Sequence, residues 1–144
     1  MGYDVITAQE KLPGESMIKL ANASDNPDRV AFSEYYASGS DRAAFMIRKG
    51  KYKYIYYCGY DPELFNLEKD PEELSNLAQD AGHADVVKEY DSILRGITDP
   101  EAMDELSFKE QSALVEKHGG RDKVSAKGAI QGSPVPGDKA EYVA

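Results

Sequence analysis

Residues 51–58 read K-Y-K-Y-I-Y-Y-C, and this alternation constrains the fold more than any other stretch of the chain. Side chains of an extended strand point to opposite faces with period two. Tyr52, Tyr54, Tyr56 and Cys58 therefore share one face, and Lys51, Lys53, Ile55 and Tyr57 share the other. The first face carries no charge and is the one expected to be buried. Lys49-Gly50 allows a tight turn back to residues 44–48, because Gly supplies the positive φ that such turns need, so a β-hairpin is predicted. After Asp61-Pro62, residues 63–67 add a third strand with Leu64, Phe65 and Leu67 as its apolar content. Asp70-Pro71-Glu72-Glu73 then has the signature of a helix start, with Asp70 as cap, Pro71 at the first helical position and Glu73 completing a capping box.

The rest of the chain is organised to cover this hairpin. Residues 22–28, N-A-S-D-N-P-D, read as a loop by their turn chemistry. Residues 29–36 alternate Val30, Phe32, Glu34 and Tyr36 against Ala31, Ser33 and Tyr35, which predicts a further strand. Four strands with connections this short favour antiparallel pairing. Over residues 83–97, Val86, Val87, Tyr90, Ile93, Leu94 and Ile97 recur at helical spacing, so a helix should lie on the sheet with Ile93 against Tyr54. Thr98-Asp99-Pro100-Glu101 starts a second helix that runs to about Lys117 and is stopped by Gly119-Gly120. From residue 121 onward Gly, Pro, Ser and Lys dominate without periodicity, which predicts an extended tail. The expected class is α+β: a four-stranded antiparallel sheet covered by one or two C-terminal helices, with an extended tail. The division is a linker over residues 1–28, a sheet-plus-helix unit over 29–118 and the tail over 119–144.

The length of 144 residues suits one domain with a modest core. A formal net charge of −9 argues against nucleic acid or an anionic membrane surface as main partner, since both demand a basic face. No apolar run is long enough to span a bilayer, and the first twenty residues lack the apolar centre of a signal peptide. The single cysteine excludes an internal disulfide and leans towards a reducing compartment such as the cytoplasm.

The order R-V-A-F-S-E-Y-Y, M-I-R-K-G-K-Y-K-Y-I-Y and E-L-F-N-L-E-K-D-P-E-E-L-S-N-L-A resembles the C-terminal subdomain of the sulfatase family, within the alkaline phosphatase superfamily. The resemblance runs from Leu12 to about Ile97. Gly14-Glu15-Ser16-Met17 is similar to the Gly-x-Ser-Leu element that leads into that subdomain, with Met17 in place of Leu. The tail G-S-P-V-P-G is similar to tails of bacterial members near choline sulfatases and phosphonate monoester hydrolases. The resemblance implies that formylglycine, made from Cys or Ser in a C-x-P/A-x-R segment, and a divalent cation, Ca²⁺ or Mn²⁺, belong to an N-terminal catalytic domain. None of these cofactors is expected in this chain. Cys58-Gly59-Tyr60-Asp61-Pro62 lacks both the Pro/Ala and the Arg of that segment.

Residues 1–28 would then link to the missing domain, and the chain would be an accessory fragment, inactive by itself. Its partners would be that domain, a second copy of itself and, in the full enzyme only, a sulfate-ester substrate. The other reading is a stand-alone module that binds another protein. Loops of this subdomain border the substrate pocket in the resembling enzymes, which makes Tyr35, Tyr36 and Arg42 the candidate substrate-rim residues.

Other features have plainer readings. Arg42, Arg48, Lys49, Lys51 and Lys53 concentrate positive charge around the hairpin. They either attract an ester or form a solvated edge that discourages strand-to-strand pairing, and the edge is favoured. The alternating tyrosines read as core packing with hydroxyl tips at a polar rim. His83 and His118 lack a second ligand at helical spacing, so no metal site is expected. The acidic runs over residues 68–73 and 99–105 read as charges at helix starts.

Overall fold

The computed structural model describes residues 14–36 and 40–126, together with the backbone of residues 129–130 and 142–143. Strands β1 (Val30–Tyr35), β2 (Ala44–Lys49), β3 (Tyr52–Tyr57) and β4 (Glu63–Asn66) form one antiparallel sheet in sequence order. The hairpin sets Lys49 opposite Tyr52 and Ile47 opposite Tyr54, and Gly50 turns it with a φ of 52°. Leu67, expected at the end of the third strand, lies just past β4 and donates its N–H to the Lys51 carbonyl at 2.8 Å.

The face bearing Tyr52, Tyr54, Tyr56 and Cys58 is the buried one. Tyr54 packs with Phe45, Ile47 and Leu64, and helix α2 (Ala84–Ile97) closes over them with Tyr90 and Leu94. Ile93, expected at the centre, is instead partly buried on the flank of this core. Tyr90 and Leu94 are one helical turn apart and define the line that meets the sheet, and residue 93 is rotated off that line. Tyr90 donates its hydroxyl to the Lys49 carbonyl, tying helix to hairpin. Helix α3 (Pro100–Lys117) starts at Asp99, whose carboxylate accepts from the Ala102 N–H at 3.0 Å, and its buried residues are Pro100 and Asp104.

Residues 70–73 do not open a helix. Glu73 takes a φ of 58°, the left-handed region, which a right-handed helix cannot continue through. The Asp70 carboxylate accepts from the N–H groups of Leu74 and Ser75 at 3.1 and 2.8 Å, closing a turn. Beyond it the chain runs beside β4: the Leu77 N–H donates to the Leu64 carbonyl at 2.8 Å, and the Leu64 N–H to the Asn76 side-chain oxygen at 3.0 Å. The β4 edge of the sheet is thereby covered at Leu64, a need that edge strands carry.

Two further pieces differ from expectation. Within the predicted linker, helix α1 (Met17–Ala21) is capped by the Ser16 hydroxyl, which accepts from the Lys19 N–H at 3.4 Å. Within the predicted tail, α4 (Arg121–Ser125) forms a short helix, and β5 (Ala129–Ile130) pairs antiparallel with β6 (Tyr142–Val143). The remaining expectations for residues 1–13, 37–39 and the rest of the tail lie outside the described residues. No helix among the described residues is long and apolar enough to cross a membrane.

The second face of the sheet carries Ala31, Ser33 and Tyr35 on β1, Ala44, Met46 and Arg48 on β2, Lys53, Ile55 and Tyr57 on β3, and Glu63 and Phe65 on β4. Helix α2 packs on the opposite side. The second face is apolar along its middle and only half-buried at Ala44, Met46 and Ile55.

Candidate functional site

Asp104 links α3 to the residues that lead into β2. This aspartate is 3% exposed. One carboxylate oxygen accepts from the Arg42 guanidinium at 2.8 Å and the other from the Ala43 N–H at 2.7 Å. Arg42 also stands over the Phe108 ring, 5.8 Å from its centroid, an arrangement that favours a cation. Its charge is therefore compensated on two sides, although its side chain remains 47% exposed.

The three candidate rim residues are not gathered into one site. Tyr36 turns to the covered side, edge-on to Phe45 with 5.8 Å between ring centroids, and its hydroxyl donates to Glu34 at 3.0 Å. Burial, and then Glu34, pushes its phenol up to about 12. Tyr36 also borders a groove of about 220 Å³ with Met103 and Leu106 on α3. Tyr35, 49% exposed, belongs to the other face of the sheet because adjacent strand residues alternate. Arg42 and Tyr36 thus serve the α3 side, and Tyr35 the open side.

A second polar cluster joins α2 to α3. Arg95 donates to Asp91 at 2.9 Å and to both oxygens of Glu101 at 2.8 and 3.0 Å, and it lies over the Tyr56 ring at 5.2 Å. The Arg95 hydrogen bonds, and then the Tyr56 hydroxyl, hold the Glu101 carboxyl down at about 2. The cluster ties α2 to the start of α3. Cys58 is free and buried. Its thiol faces the Pro100 carbonyl at 3.4 Å, and burial, followed by the charges of Asp104 and Glu101, pushes it up to about 11.

The hairpin cations sort into two groups. Arg42 pairs with Asp104, Lys49 with Glu89 at 2.9 Å, and Lys53 with Glu73. Arg48 and Lys51 have no carboxylate within 4.0 Å among the described residues. Sequence reasoning missed Asp104 as a tie, because within D-E-L it reads as one more acid near a helix start. Its partner lies 62 residues away, and no local spacing announces it.

Fold and geometry first define a class: a sheet-and-helix module whose polar clusters bind its own elements together. The family described as N-sulphoglucosamine sulphohydrolase, C-terminal, matches residues 2–100, and the chain belongs to it, carrying a sulfatase C-terminal domain of the alkaline phosphatase superfamily. It is 34% identical over 97 residues to arylsulfatase K of Danio rerio, which covers 65% of this chain and 18% of that protein. It is 45% identical over 67 residues to the choline-sulfatase of Rhizobium meliloti, with coverages of 46% and 13%. The crystal structure of the phosphonate monoester hydrolase of Agrobacterium radiobacter aligns at 30% identity and a TM-score of 0.42, over 46% of this chain and 16% of that one. The chain thus spans less than a fifth of the length of these relatives. Among the described residues no group of three His, Cys, Asp or Glu could hold a metal ion.

Proposed function

We propose that this chain acts as the accessory C-terminal subdomain of a sulfuric ester hydrolase, with the formylglycine nucleophile and the cation ligands supplied by a separate catalytic domain. The observation that carries this reading is the half-open second face of the sheet, apolar at Ala44, Met46 and Ile55 on a unit whose other face is closed by α2. Exposed apolar surface on a small domain is a cost in water and tends to be met by a partner. The catalytic domain is that partner. Residues 1–28 would lead in from it, 29–118 would form the docked unit, and 119–144 would extend along it. In its absence a second copy of the chain would take the same face. Tyr35, at the edge of that face, is the rim candidate best placed to border a substrate pocket shared with the catalytic domain. Tyr36 and Arg42 would support the same loop from the α3 side.

The test is complementation. A choline-sulfatase catalytic domain stripped of its own C-terminal subdomain should regain sulfate-ester turnover when this chain is supplied. The double variant Met46→Asp/Ile55→Asp should fold and fail to restore it. The chain by itself should hydrolyse neither aryl sulfates nor aryl phosphates with added Ca²⁺, Mg²⁺ or Mn²⁺. Turnover by the isolated chain that disappears with Cys58→Ala would overturn the reading.

A further inference from the structure

Two of the five hairpin cations, Arg48 and Lys51, are left without carboxylate partners among the described residues, and both open onto one cleft. The cleft has a volume of about 870 Å³ and lies between the α1 segment and the hairpin end of the sheet. Arg29, on the chain entering β1, reaches the same space and likewise has no ion pair among the described residues. We propose that this cleft is a binding site for an oxyanion group, of the sulfate, phosphate or carboxylate class, carried on a small polar molecule.

The argument is one of charge and shape. In a chain of net charge −9, cations near carboxylates usually find them, and Arg42, Lys49 and Lys53 have done so. Arg48 stands in register with Ala31 on one side and Lys53 on the other, so its strand neighbours offer it no acid. Guanidinium groups in that position present a planar fork of donors that matches an oxyanion, and charge-assisted bonds of this kind are the strong ones. Lys51 adds a point charge at the rim. Its ammonium lies 5.3 Å from the Tyr52 ring centroid, which does not neutralise it.

The cleft is not uniformly basic, and that narrows the ligand. Asp25 and Glu68 also line it, while Glu15 is engaged with Lys19 at 3.3 Å. Two carboxylates beside three cations disfavour a polyanion. They suit one oxyanion on a body that bears hydroxyl or amino groups, which Asp25 and Glu68 can accept from. Leu20 and Leu67 give the walls apolar surface against which such a body can rest. The site is separate from the Arg42–Asp104 tie, and because Ala31 and Arg48 also belong to the second face of the sheet it is tested on the chain without a catalytic domain.

Amide NMR titrations of the 144-residue chain would test it at constant ionic strength, with inorganic sulfate, acetate and a sugar sulfate monoester as probes and chloride as the balancing ion. Saturable shifts at Arg29, Arg48, Gly50 and Lys51 are expected, with a dissociation constant on the order of 1 mM for an exposed site of a few charge-assisted bonds. Arg48→Ala and Arg29→Ala should each weaken binding about tenfold, on the scale of one such bond. Lys49→Ala, whose ammonium is already paired with Glu89, should leave it unchanged. Tighter binding of the sugar ester than of inorganic sulfate identifies the organic body as part of the ligand, and equal binding identifies the oxyanion alone. Shifts that never saturate, or that weaken equally in Lys49→Ala, would overturn the proposal.

Discussion

Asp70-Pro71-Glu72 and Asp99-Pro100-Glu101 are the same tripeptide, yet the second opens an eighteen-residue helix and the first a turn. By local rules the first has the stronger helix signal, because Glu73 adds the capping-box acid that Ala102 lacks. The difference lies further along each segment. Behind Glu101 come Ala, Met, Leu, Glu, Lys and Gln, good helix formers with no Gly or Pro until Gly119. Behind Glu72 come Ser75, Asn76, Asp80 and Gly82, whose side chains compete for the backbone or whose freedom opposes a helix. Tertiary demands point the same way. The residues after Asp99 deliver Asp104 to the start of β2, and those after Asp70 cover the edge of β4. A start signal is permissive, and the segment behind it decides.

If α3 is held chiefly through Asp104, that residue should be the more costly to remove of the two segments' anchors. Asp104→Ala leaves a buried Ala43 N–H without an acceptor and Arg42 without its carboxylate. A loss of about 2–4 kcal/mol is expected in denaturant unfolding. Asp104→Asn, which retains an acceptor for Ala43, should recover part of it. An Asp104→Ala effect within the scatter of surface variants would show that α3 is held by Pro100 and Met103 alone. On the other side of the comparison, Asn76→Ala removes the acceptor for Leu64 and for Ala78, the latter at 2.9 Å, and the donor to the Pro62 carbonyl at 3.3 Å. Asn76 is exposed and water can replace part of this, so about 1–2 kcal/mol is expected, with faster amide exchange at Leu64 and Leu77. Unchanged exchange there would mean that the edge cover does not depend on the asparagine.

Much of the sheet was legible because period-two alternation is a direct readout of which face is buried. Tyr52, Tyr54, Tyr56 and Cys58 lie where alternation puts them. Ile93 was misplaced because an amphipathic stripe defines a broad face and not its centre line, and only the contact of Tyr90 with the hairpin settles the rotation of α2. The candidate site was less legible still. Tyr35 and Tyr36 are neighbours in sequence and opposites in the sheet, and Arg42 is tied to Asp104 across a separation that no local pattern encodes. The hairpin cations could be counted from the sequence, but which of them remain unpaired depends on Glu73, Glu89 and Asp104. Those three acids come from the turn after β4, from α2 and from α3.

The smallest effect is also the sharpest contrast, because glycine at the fourth position of each segment should act with opposite sign. At residue 102 the backbone is helical, and Ala102→Gly should cost up to about 1 kcal/mol through the conformational freedom glycine loses. At residue 73 the backbone already sits at a φ of 58°, where a side chain costs about 1–2 kcal/mol that glycine does not incur. Glu73→Gly also gives up the ion pair with Lys53, about 0–1 kcal/mol for a partly exposed pair, and gains unfolded-state entropy, so its net change should fall within about 1 kcal/mol of zero. Glu73→Ala separates the two contributions, since it keeps the strained backbone and loses the pair. It should therefore be less stable than Glu73→Gly, whereas at residue 102 alanine should be more stable than glycine. Thermal midpoints for the three variants check the inversion. If Glu73→Ala proves more stable than Glu73→Gly, the left-handed turn is not what separates the two Asp-Pro-Glu segments, and the Lys53 pair or the packing of residues 74–78 must be.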